Sequence, residues 1–187
     1  MSTGYKISED EGLYYLTFQV VGWVDIFSRK AYRDVAIDSL KYCQENKGLD
    51  VFAYVIMSNH IHLLCRSING NLSGTIRDFK NFTSKQFIDI ALSNKESRKE
   101  WMLMVFKFHA KFKKGQTFQV WTHENHAEHI YSQKFIEQKV NYIHNNPVQS
   151  GIVEKSEEYI YSSAKAYADE NAILDITKID LLWKTVN

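Results

Sequence analysis

Apolar and polar residues change their period several times along the chain, and each change marks an element. Leu13 to Val24 is rich in aromatic and β-branched residues and reads as a strand. Tyr32, Val35, Ala36, Leu40 and Cys43 then recur at helical spacing, with Ser28 placed as an N-cap and Gly48 as a stop. Val51 to Met57 and Ile61 to Arg66 are apolar runs that read as two paired strands, with Ser58-Asn59 at the turn between them. Ser73 can cap a second helix that runs through Leu92 and turns Ile76, Phe79, Phe82 or Thr83, Phe87 and Ile90 inward. Trp101 to Phe112 is again aromatic and apolar; it predicts a further strand, ended by Gly115. Phe118 to Trp121 reads as a short strand or a loop segment. Ser132 can cap a third helix, with Tyr131 and Ile136 spaced as a hydrophobic staple, and that helix should end near Pro147. Helical character returns around Tyr161 to Ala168. The order β α β β α β α predicts an α+β sandwich, with helices against one antiparallel sheet.

A length of 187 residues suits one domain, and no linker divides the chain. We expect a catalytic core over about 13–150 and a C-terminal extension over 151–187. No apolar run approaches the ~20 residues that span a bilayer, so no membrane association is expected. Met1 to Gly12 is polar and acidic, so no signal peptide is expected. Cys43 and Cys65 lie far apart, which argues against a disulfide scaffold and fits a reducing cytoplasm.

The net charge of +1 excludes a uniformly basic binder. It conceals an asymmetry, however. Residues 1–65 carry a net −2, residues 66–115 a net +7 and residues 116–187 a net −4. The basic middle interleaves cations with rings, as in Phe79, Lys80, Phe82, Lys85, Phe87 and again from Phe106 to Lys114. Basic groups can track a phosphate backbone while rings stack on bases. A solvated helix surface followed by a lysine-rich loop gives the same pattern.

Two short stretches carry candidate chemistry. In a strand, His60 and His62 of His60-Ile61-His62 share one face while Ile61 takes the other. Two adjacent imidazoles can ligate a divalent metal, but His-x-His pairs also occur by chance, and taken alone the pair reads more readily as exposed or hydrogen-bonded histidines in a hairpin. Farther on, Gln138, Tyr142 and Asn146 fall four apart on one helical face, while Phe135, Ile136, Val140 and Ile143 form the buried stripe. Tyr142 is then either a surface tyrosine or a nucleophile with a neutral oxygen ligand one turn away. A phenol of pKa about 10 needs a polarised electrophile to attack at neutral pH. His123, His126 and His129, spaced by three, invite a zinc reading, but no cysteine lies nearby to complete a ligand set, so they read better as a polar loop near the site; His144 reads as structural. No Walker-type loop, Ser-His-Asp order or paired-carboxylate pattern is present.

Taken together, Met57-Ser58-Asn59-His60-Ile61-His62-Leu63-Leu64 resembles the HUH motif of single-tyrosine transposases. Tyr142-Ile143-His144-Asn145-Asn146-Pro147-Val148, followed by Gly151-Ile152-Val153, resembles the tyrosine helix of the REP-associated tyrosine transposase family. Trp121 and Tyr161-Ser162-Ser163-Ala164 resemble that family too, and the likeness runs from about Leu13 to Tyr167. The resemblance implies a ferredoxin-like sandwich with the histidine pair on a central strand. It implies Mg²⁺ or Mn²⁺ held by His60, His62 and Asn146, and Tyr142 as the nucleophile. The implied substrate is single-stranded DNA beside a hairpin or palindromic repeat, and the implied state is a monomer or a homodimer. From charge alone, Arg77, Lys80, Lys85, Lys111, Lys113 and Lys114 are candidate backbone contacts. The alternatives are a hairpin-binding module that does not cleave, a metal-dependent phosphodiesterase that hydrolyses, and a purely structural α+β protein with fortuitous motifs.

Overall fold

The computed structural model describes Ile7 and residues 11–93, 96–111 and 115–180. Four antiparallel strands form one sheet in the order β2-β3-β1-β4. They are β1 (Tyr14–Gln19), β2 (Leu49–Ile56), β3 (His60–Ser67) and β4 (Glu128–His129). Helices α1 (Lys30–Lys47) and α2 (Leu72–Leu92) pack on one another against one face; α4 (Gln133–Gln149) lies against β2 and β3. The remaining helices are α3 (Lys99–Ala110) and the short α5 (Ala164–Tyr167). The α+β expectation is met.

Strand alternation decides which residues go to which layer. On β1, Tyr14, Leu16 and Phe18 are fully buried. Phe18 packs against Phe79 of α2, with ring centroids 5.6 Å apart. Trp121 extends this aromatic layer to Phe18, Phe27, Phe79 and Phe87 and donates its indole N–H to Thr83 Oγ1 at 2.9 Å. The other face of β1 carries Tyr15, Thr17 and Gln19. In the β1–β3 register these stand opposite Leu64, His62 and His60. The sheet therefore has an aromatic face under α1 and α2 and a partly polar face under α4.

Helix ends follow local chemistry, with shifts from the expected caps. Gly48 ends α1 in the left-handed conformation at φ 65°, as expected. Ser28 does not cap α1; its hydroxyl donates to the Asp25 carbonyl at 2.7 Å and the helix starts at Lys30. Asn71, rather than Ser73, caps α2 by accepting from the Gly74 amide at 3.2 Å. Ser132 caps α4 as expected, accepting from the Phe135 amide at 3.3 Å. Tyr131 meets Phe135 by ring contact, and Pro147 lies inside α4, which runs on to Gln149.

The main departure is residues 101–112. The expected strand there is α3, which reaches Ala110, and Phe112 lies outside the described residues. Met102, Phe106 and Ala110 recur four apart and are the buried stripe, whereas Trp101, Met104 and Phe108 are exposed. A high aromatic content masked the helical period. The fourth strand comes later: Glu128–His129 pairs with Tyr15 and Tyr14. Main-chain bonds from Val21 to Val120, from Thr122 to Gln19 and from Thr17 to Asn125 carry the chain along the β1 edge before it.

The C-terminal segment closes the opposite edge of the sheet. Ile56 donates to Tyr161, Ser163 to Tyr54 and Thr177 to Val51, all through main-chain bonds of 2.9–3.0 Å. An open edge is a template for pairing with another chain, and this one is occupied. His144 is structural, as expected: it is buried, bonds Ser163 Oγ at 2.8 Å and stacks edge-on against Tyr167. Cys43 and Cys65 are buried free thiols. Among the described residues no helix is long and apolar enough to cross a membrane.

Removing Phe106 should destabilise the fold by roughly 3–5 kcal/mol, while Phe108→Ala changes it by no more than about 0.5 kcal/mol, in denaturant titrations. In a strand the two rings would share a face, so similar costs would contradict the helix.

Candidate active site

The polar face of the sheet and the overlying side of α4 enclose a cavity of about 630 Å³. Tyr15, Thr17 and Gln19 line it from β1, His60 and His62 from β3, Glu128 from β4, and Gln138, Lys139 and Tyr142 from α4, with Trp23 and His126 completing the wall. The expected alternation holds. Ile61 is fully buried on the opposite face, and the His60 and His62 ring centroids are 4.6 Å apart.

Each histidine is held through Nδ1. His62 Nδ1 lies 2.7 Å from Tyr15 Oη and 3.0 Å from Thr17 Oγ1. His60 Nδ1 donates to Asn59 Oδ1 at 2.7 Å. Gln19 steadies the same turn, donating to the Asn59 carbonyl at 3.1 Å. These bonds orient the rings and leave Nε2 as the free ring nitrogen, the arrangement outer partners give metal-ligating histidines. His62 Nε2 is buried and has no hydrogen-bond partner among the described residues. A buried polar atom without a partner is costly, and a cation would satisfy it. Burial, with the nearby His60 and Lys139, pushes the His62 imidazole down to about 3, so it is neutral at neutral pH. Burial lowers His60 as well.

Tyr142 stands over this pair. Its ring centroid is 5.2 Å from that of His62 and 6.2 Å from that of Tyr15, edge-on in both cases, and the residue is 44% exposed. One turn earlier, Lys139 Nζ lies 4.0 Å above the Tyr15 ring and 2.8 Å from Glu128 Oε2. An ion pair is thus built into the wall between α4 and β4.

The fold as a whole is similar to a solved structure described as a REP-associated tyrosine transposase bound to a REP hairpin. The match covers 100% of both chains with a TM-score of 0.58 and 15% sequence identity. At that identity the likeness is one of fold. No family model matches the sequence, and no curated protein matches it.

The structure thus brings His60, His62 and Tyr142 to one cavity. Asn146, expected one turn beyond the tyrosine, is not among the lining residues; Gln138, one turn before it, is. Of the basic candidates, Lys80 is engaged internally: its amine donates to the Thr122 carbonyl and to Asn125 Oδ1, both at 2.7 Å, and pins the loop beside β1. Arg77 is exposed and bonds its neighbour Asp78. Lys85 and Lys111 are exposed. Lys113 and Lys114 lie outside the described residues. None of the four described cations lines the cavity. Among the described residues no group of three or more His, Cys, Asp or Glu is placed to hold a metal. His126 lines the cavity, and His129 stacks on Tyr14 at 5.1 Å.

Sequence reasoning missed Tyr15, Thr17, Gln19, Glu128 and Lys139. The first three carried a signal. They alternate with Tyr14, Leu16 and Phe18, so the strand has one polar-edged face. Glu128 and Lys139 meet only through tertiary packing.

Two buried imidazoles make stability depend on pH. Burial lowers His144 to about 4, and His62 to about 3 with the help of His60 and Lys139. Both folded values lie below the unfolded value of about 6.5, so the unfolded chain binds the extra protons. This stability is complete above that value and is lost as the pH falls toward 4. The thermal midpoint should fall over pH 6.5 to 4.5, and His144→Gln should flatten the slope. An unchanged slope would contradict the assignment.

Proposed function

We propose that the chain cuts and rejoins single-stranded DNA beside a hairpin, with Tyr142 as the nucleophile and Mg²⁺ or Mn²⁺ as the cofactor. The observation that supports it best is the unpartnered, buried Nε2 of His62 in the wall of the cavity that Tyr142 enters. The donor set fits a divalent cation. Two neutral imidazoles are fixed through Nδ1, and a side-chain amide of α4 would be the third donor. For that donor Asn146 lies one turn beyond Tyr142 and Gln138 one turn before it; Gln138 already lines the cavity. Hairpin DNA as the substrate rests on the likeness to a transposase bound to a REP hairpin. The exposed cations Arg77, Lys85 and Lys111 are assigned to more distant phosphates.

Held by His60 and His62, the ion would supply Lewis-acid polarisation of the phosphate and would offset charge building on the leaving oxygen. Tyr142 Oη forms a bond to phosphorus as the bond to the 3′ oxygen breaks. The phenolic proton passes to solvent, which the exposure of Tyr142 permits, and the 3′ oxygen takes a proton from solvent. The products are a 5′-phosphotyrosine and a free 3′-hydroxyl. The phosphodiester is retained in the protein link, so a second 3′-hydroxyl can reverse the step without ATP. Tyr15 and Thr17 keep His62 oriented throughout, and Lys139 contributes a nearby positive charge. The reaction is assigned to the cytoplasm. The covered β2 edge favours a monomer over a dimer joined through that edge.

Incubation with hairpin-bearing single-stranded DNA and Mn²⁺ should give a covalent adduct on a denaturing gel. Tyr142→Phe should reduce it by roughly 1,000-fold or more, and His60→Ala should abolish it while leaving most hairpin binding. An undiminished adduct from the phenylalanine variant would sink the nucleophile. Free 5′-phosphate without a link would indicate hydrolysis, and binding without any product would indicate a recognition module.

Tyr15→Phe removes the phenol from His62 Nδ1 and should weaken Mn²⁺ binding by roughly 10- to 100-fold in calorimetric titration. Adduct formation should recover at higher Mn²⁺. Unchanged affinity would show that the tyrosine does not support the ligand.

A further inference from the structure

Trp23 stands at the rim of the same cavity, and packing does not explain it. The residue is 70% exposed. Its backbone has φ 56°, directly after Gly22 at φ 61°. Two consecutive left-handed residues make a tight turn between β1 and α1. Gly22 is required there, because a Cβ would lie 2.6 Å from Val105 Cγ1 of α3. Trp23 has no such freedom: a bulky side chain is disfavoured at positive φ, and such outliers cluster at functional sites. An exposed ring in an unfavourable backbone conformation gains the fold nothing.

The turn is nevertheless held firmly. Trp23 donates its amide to the Val20 carbonyl at 3.2 Å, and its own carbonyl accepts from Asn59 Nδ2 at 3.4 Å. Asn59 is also the residue whose Oδ1 accepts from His60 Nδ1. One amide therefore fixes the tryptophan turn and the first histidine relative to each other. The turn thereby carries the indole to the rim of the candidate reaction centre.

We propose that Trp23 is a stacking platform for an unpaired nucleobase next to the phosphate that enters the cavity. This rests on the nuclease reading for the identity of the strand. To reach Tyr142 the backbone must run unpaired through the cavity mouth, and the flanking base loses its neighbour there. An indole face replaces that stacking contact for any base, since every base has a π-face. Trp23 would thus set how the single strand enters, with little sequence preference.

The test compares three labelled hairpins in EDTA, where cleavage cannot interfere. One is blunt, one carries a single-stranded extension of about four nucleotides, and one carries the same extension without bases. Wild type should bind the extended hairpin more tightly than the other two. Trp23→Ala should weaken that binding by roughly 5- to 100-fold, Trp23→Phe should keep most of it, and binding of the blunt hairpin should stay within about twofold. Trp23→Gly should lose the same increment while melting no lower than wild type, which separates binding from folding. The proposal is overturned if wild type gains nothing from the bases of the extension, or if Trp23→Ala weakens all three hairpins equally. The nuclease reading fails separately: an intact Trp23 effect with no adduct in Mn²⁺ would leave the platform standing and remove the chemistry.

Discussion

Antiparallel pairing of β1 with β3 is the constraint on which the site depends. It sets Thr17 opposite His62 and Gln19 opposite His60, and it brings Tyr15 within 2.7 Å of His62 Nδ1. Side chains alternate with period two, so a slip of one residue would exchange the faces. Tyr14, Leu16 and Phe18 would then face α4, and the support for both imidazoles would be lost. The fully buried aromatic face prevents that slip. The same hydrophobic alternation that builds the core therefore fixes the position of the polar pair.

From that row the cavity is assembled by packing. Helix α4 lays Tyr142 edge-on against His62 and Tyr15, and α4 with β4 supplies the Lys139–Glu128 pair. Asn59 joins the turn before β3 to the turn after β1. Nδ1 of His60 and Nδ1 of His62 each have a partner, while His62 Nε2 has none among the described residues. Such asymmetry is what a ligand site needs: donors fixed from behind and bare in front. The C-terminal segment contributes from a distance by occupying the β2 edge and bonding His144 through Ser163.

Much of this was legible in the sequence because it rests on local rules. The His60-Ile61-His62 alternation, the Gly48 stop, the Ser132 cap and the Tyr142 face follow from strand and helix periods. Residues 101–110 were misread because rings raise strand propensity even when Met102, Phe106 and Ala110 keep a helical period. The fourth strand is only two residues long, too short for any periodic signal. The fit of Lys80 into the 122–125 loop, the Asn59 bridge and the left-handed backbone of Trp23 arise from contacts distant in sequence. For the same reason the exposed charge of residues 66–115 was a poor guide to the cavity, where among the described residues the lining lysine is Lys139 of α4.

The central claim is that the β1–β3 register prepares two imidazole nitrogens for one divalent cation. Electron spin echo envelope modulation of the Mn²⁺-loaded protein reads directly coordinated nitrogen. Modulation from two bound imidazoles, reduced to one in His62→Ala, is the result predicted here. A spectrum showing only oxygen ligands, identical in the variant, would contradict it.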